Sequence, residues 1–124
     1  MYQQTERTRR VGELIKREVA EILRRDLEAD SLKFVNVTAV TVSRDLRNAT
    51  VFFTLIGDKG DPETAASDLA HARGYVRKLL GARVRMKRTP DIHFKYDDSV
   101  TRGFELSKLI DSVRHDDAET DDNE

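Results

Sequence analysis

The stretch DPETAASDLAHARGYVRKLLGARVRMKRTPDIHFKYDD, residues Asp61 to Asp98, decides the fold of this chain. Its apolar residues first recur at intervals of three and four and then, from Ile92, at every second position. This pattern predicts helical structure followed by a strand. Asp61 is a favoured helix cap, and Pro62 suits the first helical position because its missing N–H has no partner to lose there. A glycine inside the helical part, Gly74, costs about 1 kcal/mol against alanine and predicts a break into two helices.

Small and basic residues share one flank of this predicted helix pair. On an ideal wheel of about 100° per residue, the residues that fall together are Ala70, Arg73, Gly74, Arg77 and Gly81. Small residues let a sugar-phosphate backbone approach, and guanidinium groups reach its oxygens, so the flank predicts a phosphate-binding surface. A basic run follows at Arg83, Arg85, Lys87 and Arg88. The open alternative is an ordinary solvated helix face.

The residues before Asp61 predict one helix and two strands. An apolar stripe from Val11 to Ile22 predicts a first helix that begins at Thr5 or Thr8 and ends near Leu23. A period of two then predicts strands on either side of a turn at residues 43–48. The alternation slips near Thr38–Ala39, which predicts a β-bulge or a strand covered on both faces. The short turn predicts an antiparallel hairpin, and the crossover to the third strand predicts a parallel pair.

The predicted order is therefore α-β-β-α-break-α-β, an α+β fold with helices on one face of a three-stranded mixed sheet. Ser99 or Thr101 begins a predicted short last helix. The folded domain is expected to span residues 1–114. Residues 115–124, HDDAETDDNE, hold six carboxylates and no Lys or Arg, and they form a predicted disordered acidic tail.

The net charge of −1 conceals an uneven distribution. When the six tail carboxylates are subtracted from the 23 acidic residues, 17 remain against 22 basic ones, a formal charge of +5. A basic body with an acidic tail indicates a protein that binds polyanions, although a soluble charged surface with a solvated tail has the same counts. Cysteine is absent, and no apolar run approaches the roughly 20 residues of a membrane span. We therefore expect a cytoplasmic protein without a membrane partner.

No motif indicates catalysis or a cofactor. The chain has no Walker loop, no G-x-G-x-x-G sequence and no Ser/His/Asp set. Its three histidines, His71, His93 and His115, lack metal-ligand spacing. The adjacent Asp97 and Asp98 are more typical of a turn cap than of a Mg²⁺ site. We therefore expect no enzyme activity, no cofactor and no metal.

The order of elements and several short motifs resemble the bacterial ribosome-binding factor A family. The order is that of the type II KH fold, a binder of single-stranded nucleic acid, but Ala72-Arg73-Gly74 stands at the break in place of a G-x-x-G clamp. The matching stretches are Arg7-x-Arg9-Arg10-Val11, Val42-Ser43-x-Asp45-Leu46-x-x-Ala49, Leu80-x-x-x-Val84-x-Met86-x-x-x-Pro90 and Phe94-x-Tyr96-Asp97-x-Ser99. Together they cover nearly the whole predicted domain.

This resemblance implies a function as well as a fold. The family acts late in assembly of the small (30S) ribosomal subunit, binds free or immature particles and contacts 16S rRNA near its 5′-end helix. It is linked with 16S rRNA processing and cold adaptation, and it is not an enzyme. The implied partners are the 30S subunit, 16S rRNA and the assembly GTPases that act on the same particle. We expect a monomer.

The predicted RNA-binding site is centred on the break between the helices. Arg73 and Arg77 are expected to hold phosphates, and Gly74 to permit a close approach of the RNA backbone. The full predicted set is Ala72, Arg73, Gly74, Arg77, Lys78, Arg83, Arg85, Lys87, Arg88, Arg7, Arg9 and Arg10. Without G-x-x-G, binding should depend on side-chain charge and shape, with weak base preference and steep salt dependence.

Two alternatives stay open at this point. The chain is either an RNA binder or a protein–protein adaptor whose basic face binds an acidic partner. The acidic tail is also a candidate competitor for the basic face, in which case deleting the residues after Arg114 should tighten RNA binding at low salt.

Overall fold

A computed structural model describes residues 4–98 of the chain. Its helices are α1 (Glu6–Arg25) and α2 (Pro62–Arg83), with two short 3₁₀ helices at Asp30–Leu32 and Ile56–Asp58. Its strands are β1 (Val35–Val42), β2 (Asn48–Leu55) and β3 (Asp91–Tyr96). The predicted last helix and the predicted acidic tail lie outside the described residues.

The three strands form one mixed sheet in the order β1-β2-β3. β1 and β2 are antiparallel, and β2 and β3 are parallel, so the α+β prediction with its hairpin and crossover is confirmed. The register shifts between Val37 and Ala39, which confirms the β-bulge. At the bulge, the Thr38 hydroxyl donates a hydrogen bond of 2.8 Å to the Asp97 carboxylate just after β3.

α1 begins where its sequence predicts. The Thr5 hydroxyl accepts a hydrogen bond from the Thr8 N–H, and the Thr8 hydroxyl accepts one from the Thr5 N–H, so both ends of the first turn are satisfied. Ile15, Val19 and Ile22 are fully buried because they follow the helical repeat on the face against β1. α2 packs against β3 and against α1, so both helices cover the same face of the sheet.

α2 is one continuous helix, and the predicted break at Gly74 was wrong. The start of the helix was predicted correctly, since the Asp61 carboxylate accepts hydrogen bonds from the Glu63 and Thr64 N–H groups and Pro62 occupies the first turn. The helix then runs through Gly74 to Arg83 without a residue of non-helical backbone. Within residues 4–98, neither helix is long and apolar enough to cross a membrane.

Packing explains why the helix continues. The apolar face of α2 is fully buried on both sides of Gly74 at Ala65, Leu69, Val76 and Leu80. Burying one Leu or Val side chain stabilises a fold by about 1.5–3 kcal/mol, which exceeds the cost of about 1 kcal/mol for an exposed helical glycine. The core therefore holds a single helical register along α2.

Candidate nucleic-acid interface

The residues predicted to bind RNA are distributed over three segments. Arg7, Arg9 and Arg10 lie in the first turns of α1, and the set from Ala72 to Arg83 lies on α2. Arg85, Lys87 and Arg88 are exposed on the segment of residues 84–90, which we call the basic loop. The fold brings some of these side chains together and directs others to internal partners.

The surface around Gly74 is open. Arg73, Gly74 and Lys78 are exposed, and a Cβ atom added to Gly74 would meet no atom within 4 Å. Ala72 is half-buried and packs against the hydrophobic core, so it supports the helix from the inner side. This part of the predicted site is accessible to a ligand.

Arg73 is anchored to the edge strand β3. Its Nη1 lies 3.3 Å from Nδ1 of His93, and His93 Nε2 lies 3.0 Å from Oδ1 of Asn48. An amide oxygen accepts only, so Nε2 carries the proton that it donates to Asn48. Nδ1 is then free to accept from the guanidinium. The chain of contacts fixes the Arg73 guanidinium beside His93 while leaving its other N–H groups available.

Arg77 and Gly81 hold the basic loop against α2. Arg77 Nε and Nη2 donate to the Thr89 carbonyl oxygen at 3.2 Å and 2.8 Å, and Nε lies 3.3 Å from an Asp91 carboxylate oxygen. A Cβ atom on Gly81 would lie only 2.9 Å from Thr89 Oγ1. The basic loop therefore packs closely on α2 at Gly81, whereas the same flank is open at Gly74.

Arg83 lies at the contact between α1 and α2, apart from the other members of the predicted basic run. Its Nε is 2.9 Å from Glu18 and its Nη1 is 4.0 Å from Asp26. The hydrogen bond to Glu18 raises the pKa of Arg83, with smaller contributions from the charges nearby. This pairing also accounts for Glu18, a carboxylate at the border of the apolar stripe of α1.

The first turns of α1 carry both paired and unpaired arginines. Glu6 accepts from Arg9 at 2.8 Å and from Arg10 at 3.3 Å, and the Arg9 hydrogen bond lowers the pKa of Glu6. These exposed pairs contribute little to stability. The Arg7 side chain makes no hydrogen bond or ion pair to another residue of the described part of the chain.

A concave surface with a cavity volume of about 840 Å³ joins all three segments. We call it the basic groove. It is lined by Arg7 and Val11 of α1, Asp45, Leu46 and Arg47 of the β1–β2 turn, Arg77 of α2, and Met86, Lys87 and Arg88 of the basic loop. Four of the predicted residues, Arg7, Arg77, Lys87 and Arg88, therefore converge although they come from distant parts of the sequence.

Arg47 is the cation of this groove that the sequence prediction missed. It lies in a segment interpreted only as turn chemistry, and no local pattern distinguishes a turn arginine that faces a ligand from one that faces solvent. Arg47 could have been found from its place within the motif Val42-Ser43-x-Asp45-Leu46-x-x-Ala49. Two residues of that motif, Asp45 and Leu46, also line the groove.

The β1–β2 turn is locked by hydrogen bonds to Ser43 and Asp45. Ser43 Oγ donates to Asp45 Oδ1 at 2.7 Å, and the Arg47 N–H donates to the same oxygen at 3.0 Å. These contacts, with Ser43 contributing most, lower the pKa of Asp45. Leu46 has a φ of +62°, in the left-handed region that a branched side chain rarely adopts. Such strain persists only where the surroundings impose it, and it is found often at functional sites.

The charge of the groove is strongly positive. Its cations are Arg7, Arg47, Arg77, Lys87 and Arg88, against the single carboxylate of Asp45. That carboxylate is already engaged by Ser43 and by Arg47. Lys87 and Arg88, like Arg7, make no ion pair to another described residue. The groove therefore presents unpaired cations suited to phosphate oxygens. Among residues 4–98, no three His, Asp or Glu side chains converge as they do around a metal ion.

A small α+β domain of KH-like topology with a cationic groove is typical of the class of nucleic-acid-binding proteins. Residues 7–110 match the family model of ribosome-binding factor A. The chain belongs to the ribosome-binding factor A family.

Individual relatives agree with this assignment. The chain is 44% identical over 119 residues to ribosome-binding factor A of Alkalilimnicola ehrlichii, covering 95% of this chain and 92% of the relative. It is similar to the crystal structure of ribosome-binding factor A from Thermus thermophilus, with a TM-score of 0.65, 28% identity, and coverage of 72% of this chain and 94% of the other. A homology model of the Thermus protein, fitted into a cryo-EM map of a 30S complex, has a TM-score of 0.61 and 29% identity, covering 70% of this chain and 91% of the other.

Proposed function

We propose that this protein binds the small (30S) ribosomal subunit through contacts between its basic surface and 16S rRNA, and that it assists maturation of that subunit. The observation that carries the proposal is the family match over residues 7–110. The fitted complex of the Thermus relative with the 30S subunit supports it, as does the cluster of unpaired cations in the basic groove.

The structure supports different roles for the predicted residues. Arg7, Lys87 and Arg88 are the candidates for direct phosphate contacts in the groove, with Arg85, Arg73 and Lys78 extending the cationic surface beyond it. Arg77 and Arg83 use donors on internal partners, so in this proposal they position the basic loop and α1. Arg9 and Arg10 contribute charge at the edge after exchanging Glu6 for phosphate.

The finer parts of the proposal follow the family resemblance. They are binding of free or immature 30S particles near the 5′-end helix of 16S rRNA, a need for the protein in 16S rRNA processing and cold adaptation, and release linked to assembly GTPases. In this proposal the chain acts as a cytoplasmic monomer by binding alone, without catalysis.

Sedimentation of the purified chain with ribosomal particles tests the proposal. The protein should migrate with free 30S subunits and remain unbound when those subunits are joined in 70S ribosomes. Equal association with both particles would contradict an assembly role. A pull-down treated with nuclease separates this proposal from a protein–protein adaptor. The complex of an adaptor would survive the loss of RNA, whereas an RNA-dependent complex would disappear.

Salt dependence tests the phosphate contacts. Binding to 30S subunits should weaken steeply with salt, and each lost phosphate contact should reduce the slope of log K against log[salt] by about 0.7–0.9. Lys87→Gln and Arg88→Gln should each have this effect. Arg17→Gln, which removes an exposed α1 cation outside the groove, is the matched control and should leave the slope nearly unchanged.

A further inference from the structure

A second groove, which we call the apolar groove, lies at the other end of β1 from the basic groove. The strand spans about 23 Å from Val35 at this groove to Val42 beside the β1–β2 turn. The apolar groove has a volume of about 540 Å³. Its larger apolar lining residues are Leu23, Leu27, Leu32, Val35, Val37 and Ile56. Removing apolar surface from water is favourable, so the groove suits a partner with several apolar side chains.

Exposed apolar side chains continue the groove onto the surface. Ile56 is 58% exposed and Phe34 is 37% exposed, and the two are adjacent because the Ile56 N–H donates a 2.8 Å hydrogen bond to the Phe34 carbonyl. Within residues 4–98, the third large apolar side chain that is exposed is Tyr75, on α2. Single exposed apolar residues are common, whereas apolar residues gathered at a groove mark an interaction site.

The described part of the chain ends at the same end of the sheet as the apolar groove. Tyr96 of β3 pairs with Phe53 of β2, and Phe53 pairs with Val37 of β1, so the three residues form one row across the sheet. The Asp97 carboxylate then accepts a hydrogen bond of 2.8 Å from the Thr38 hydroxyl on β1. Because Val37 lines the groove, the chain leaves β3 level with it.

The next residues are long enough to cross to the groove. Neighbouring strands lie about 4.8 Å apart, so the backbone of Tyr96 is about 10 Å from that of Val37. Residues 99–103 extend to about 17 Å at roughly 3.3–3.6 Å per residue. The residues from 104 onward are therefore within reach of the groove.

The sequence that follows has the apolar pattern of a helix that needs a partner. Residues 104–113, FELSKLIDSV, lie outside the described residues. Four of them, Leu106, Leu109, Ile110 and Val113, recur at intervals of three and four, which predicts one apolar side of a helix. An isolated helix of this length is marginal in water, so its formation requires a surface that covers the apolar side.

The apolar groove fits this segment better than the other surface near the end of β3. The sheet face turned away from the helices carries Thr50, Thr54 and Lys95 around Phe52, because these residues alternate with buried ones along β2 and β3. That face is mostly polar. The groove offers a continuous aliphatic lining.

We propose that residues 104–113 bind in the apolar groove of their own chain, with the apolar side of the predicted helix against Leu27, Val35 and Ile56. The proposal goes beyond RNA binding, since it assigns an intramolecular partner to a surface remote from the basic groove. It makes the segment part of the folded domain.

Urea unfolding of the full-length chain tests this contact. Substitution of an exposed side chain normally changes stability little, but Ile56→Gln and Leu109→Gln should each make unfolding about tenfold more favourable, because each removes buried apolar surface. Their combination should cost less than the sum of the two, since both variants break the same contact. The controls are Tyr75→Gln, outside the groove, and Asp111→Asn, on the polar side of the predicted helix, and both should leave the midpoint nearly unchanged.

Introduced cysteines test the orientation of the segment, since the chain has none of its own. Two cysteines form a bridge only when their Cα atoms come within about 7 Å. Under mild oxidation, Ile56→Cys with Leu109→Cys should form a bridge within one chain severalfold faster than Ile56→Cys with Asp111→Cys. The second pair is the matched control, because it has nearly the same tether length and the opposite side of the predicted helix.

Four results would overturn the proposal. Unchanged midpoints in both single variants would mean that the groove is not covered in the isolated chain. Additive effects of Ile56→Gln and Leu109→Gln would place the segment on another surface. Equal bridging rates of the two cysteine pairs would indicate only a tethered segment. Bridges that form only between chains would assign the groove to a second copy.

Discussion

Two helical glycines in this chain have opposite surroundings. A Cβ atom on Gly12 would lie 2.9 Å from the backbone oxygen of Val40, whereas one on Gly74 would meet nothing within 4 Å. Gly12 therefore permits the close approach of α1 to β1, and Gly74 occupies open surface. The sequence drew attention to Gly74 and passed over Gly12, because steric need at a helix–strand contact depends on a partner far along the chain.

Gly12→Ala should destabilise the fold. Alanine adds about 1 kcal/mol of helix propensity, but the clash is with backbone, so α1 must shift away from the sheet at a cost of about 1–3 kcal/mol. The expected net result is a lower urea midpoint with an unchanged slope. Gly74→Ala is the matched control, and it should stabilise the protein by about 0.5–1 kcal/mol. A higher midpoint in Gly12→Ala would show that the contact relaxes freely.

Replacement of Arg77 by lysine tests whether this side chain positions the basic loop. Arg77→Lys keeps the charge but loses the two hydrogen bonds that Nε and Nη2 donate to the same Thr89 carbonyl oxygen. We expect faster hydrogen exchange in the basic loop and an RNA affinity lowered by about threefold, with the salt slope unchanged because no charge is lost. Arg17→Lys is the control. Unchanged hydrogen exchange of the basic loop in Arg77→Lys would contradict this positioning role.

At the scale of elements, local signals were sufficient wherever a boundary is fixed by neighbouring residues. The start of α2 follows from Asp61 and Pro62, and the bulge follows from the slipped alternation near Thr38. The continuity of α2 through Gly74 was not predictable in the same way. It depends on the burial of Leu69 and Val76 against the sheet. The free energy gained by burying these side chains exceeds the helix-propensity cost of Gly74, which is the part of the balance that the local sequence shows.

The Asp61 cap predicts a definite pH dependence for α2. Hydrogen bonds from the Thr64 hydroxyl and then from the backbone lower the pKa of Asp61 below its ordinary value of 3.8. A carboxyl whose pKa is lower in the folded state stabilises the protein above the unfolded value, and that contribution disappears as the pH falls through the folded value. Acid should therefore weaken the cap below about pH 3.8.

Asp61→Asn separates the cap from its titration. Asparagine still accepts hydrogen bonds from the first turn but does not ionise. Urea unfolding of the variant should show less loss of stability below about pH 4 than the unmodified chain, and somewhat lower stability near neutral pH, where the charge favours the helix dipole. Asp61→Ala should lose stability at both ends of the range. Parallel profiles for Asp61→Asn and the unmodified chain would contradict this account.

At the scale of the whole molecule, the groove is a product of topology. Arg7, Arg47 and Lys87 are separated by 40 residues at each step in the sequence, and they meet because α1, the β1–β2 turn and the basic loop converge at one end of the domain. The count of charged residues correctly predicted that the body of the protein has a basic surface. It did not show which arginines have internal partners, because the partners of Arg77 and Arg83 are a carbonyl and carboxylates that are brought close only by folding.

The acidic C-terminal segment provides the last test at this scale. Residues 115–124 hold six carboxylates, and 26 residues follow Asp98. Carboxylates and the unpaired cations of the basic groove attract each other over a Debye length of about 10 Å at 0.1 M salt, so we expect residues 115–124 to compete with RNA for the basic groove.

A variant with Asp116→Asn, Asp117→Asn and Glu119→Gln should bind RNA severalfold more tightly at low salt, and the gain should vanish as salt screens the competition. The matched control is Glu13→Gln, Glu28→Gln and Glu63→Gln, which removes the same number of exposed carboxylates from the body. Anisotropy measurements on both full-length variants separate the two effects. Equal gains would mean that net charge alone sets the affinity, because a tethered competitor acts at high local concentration and body carboxylates do not.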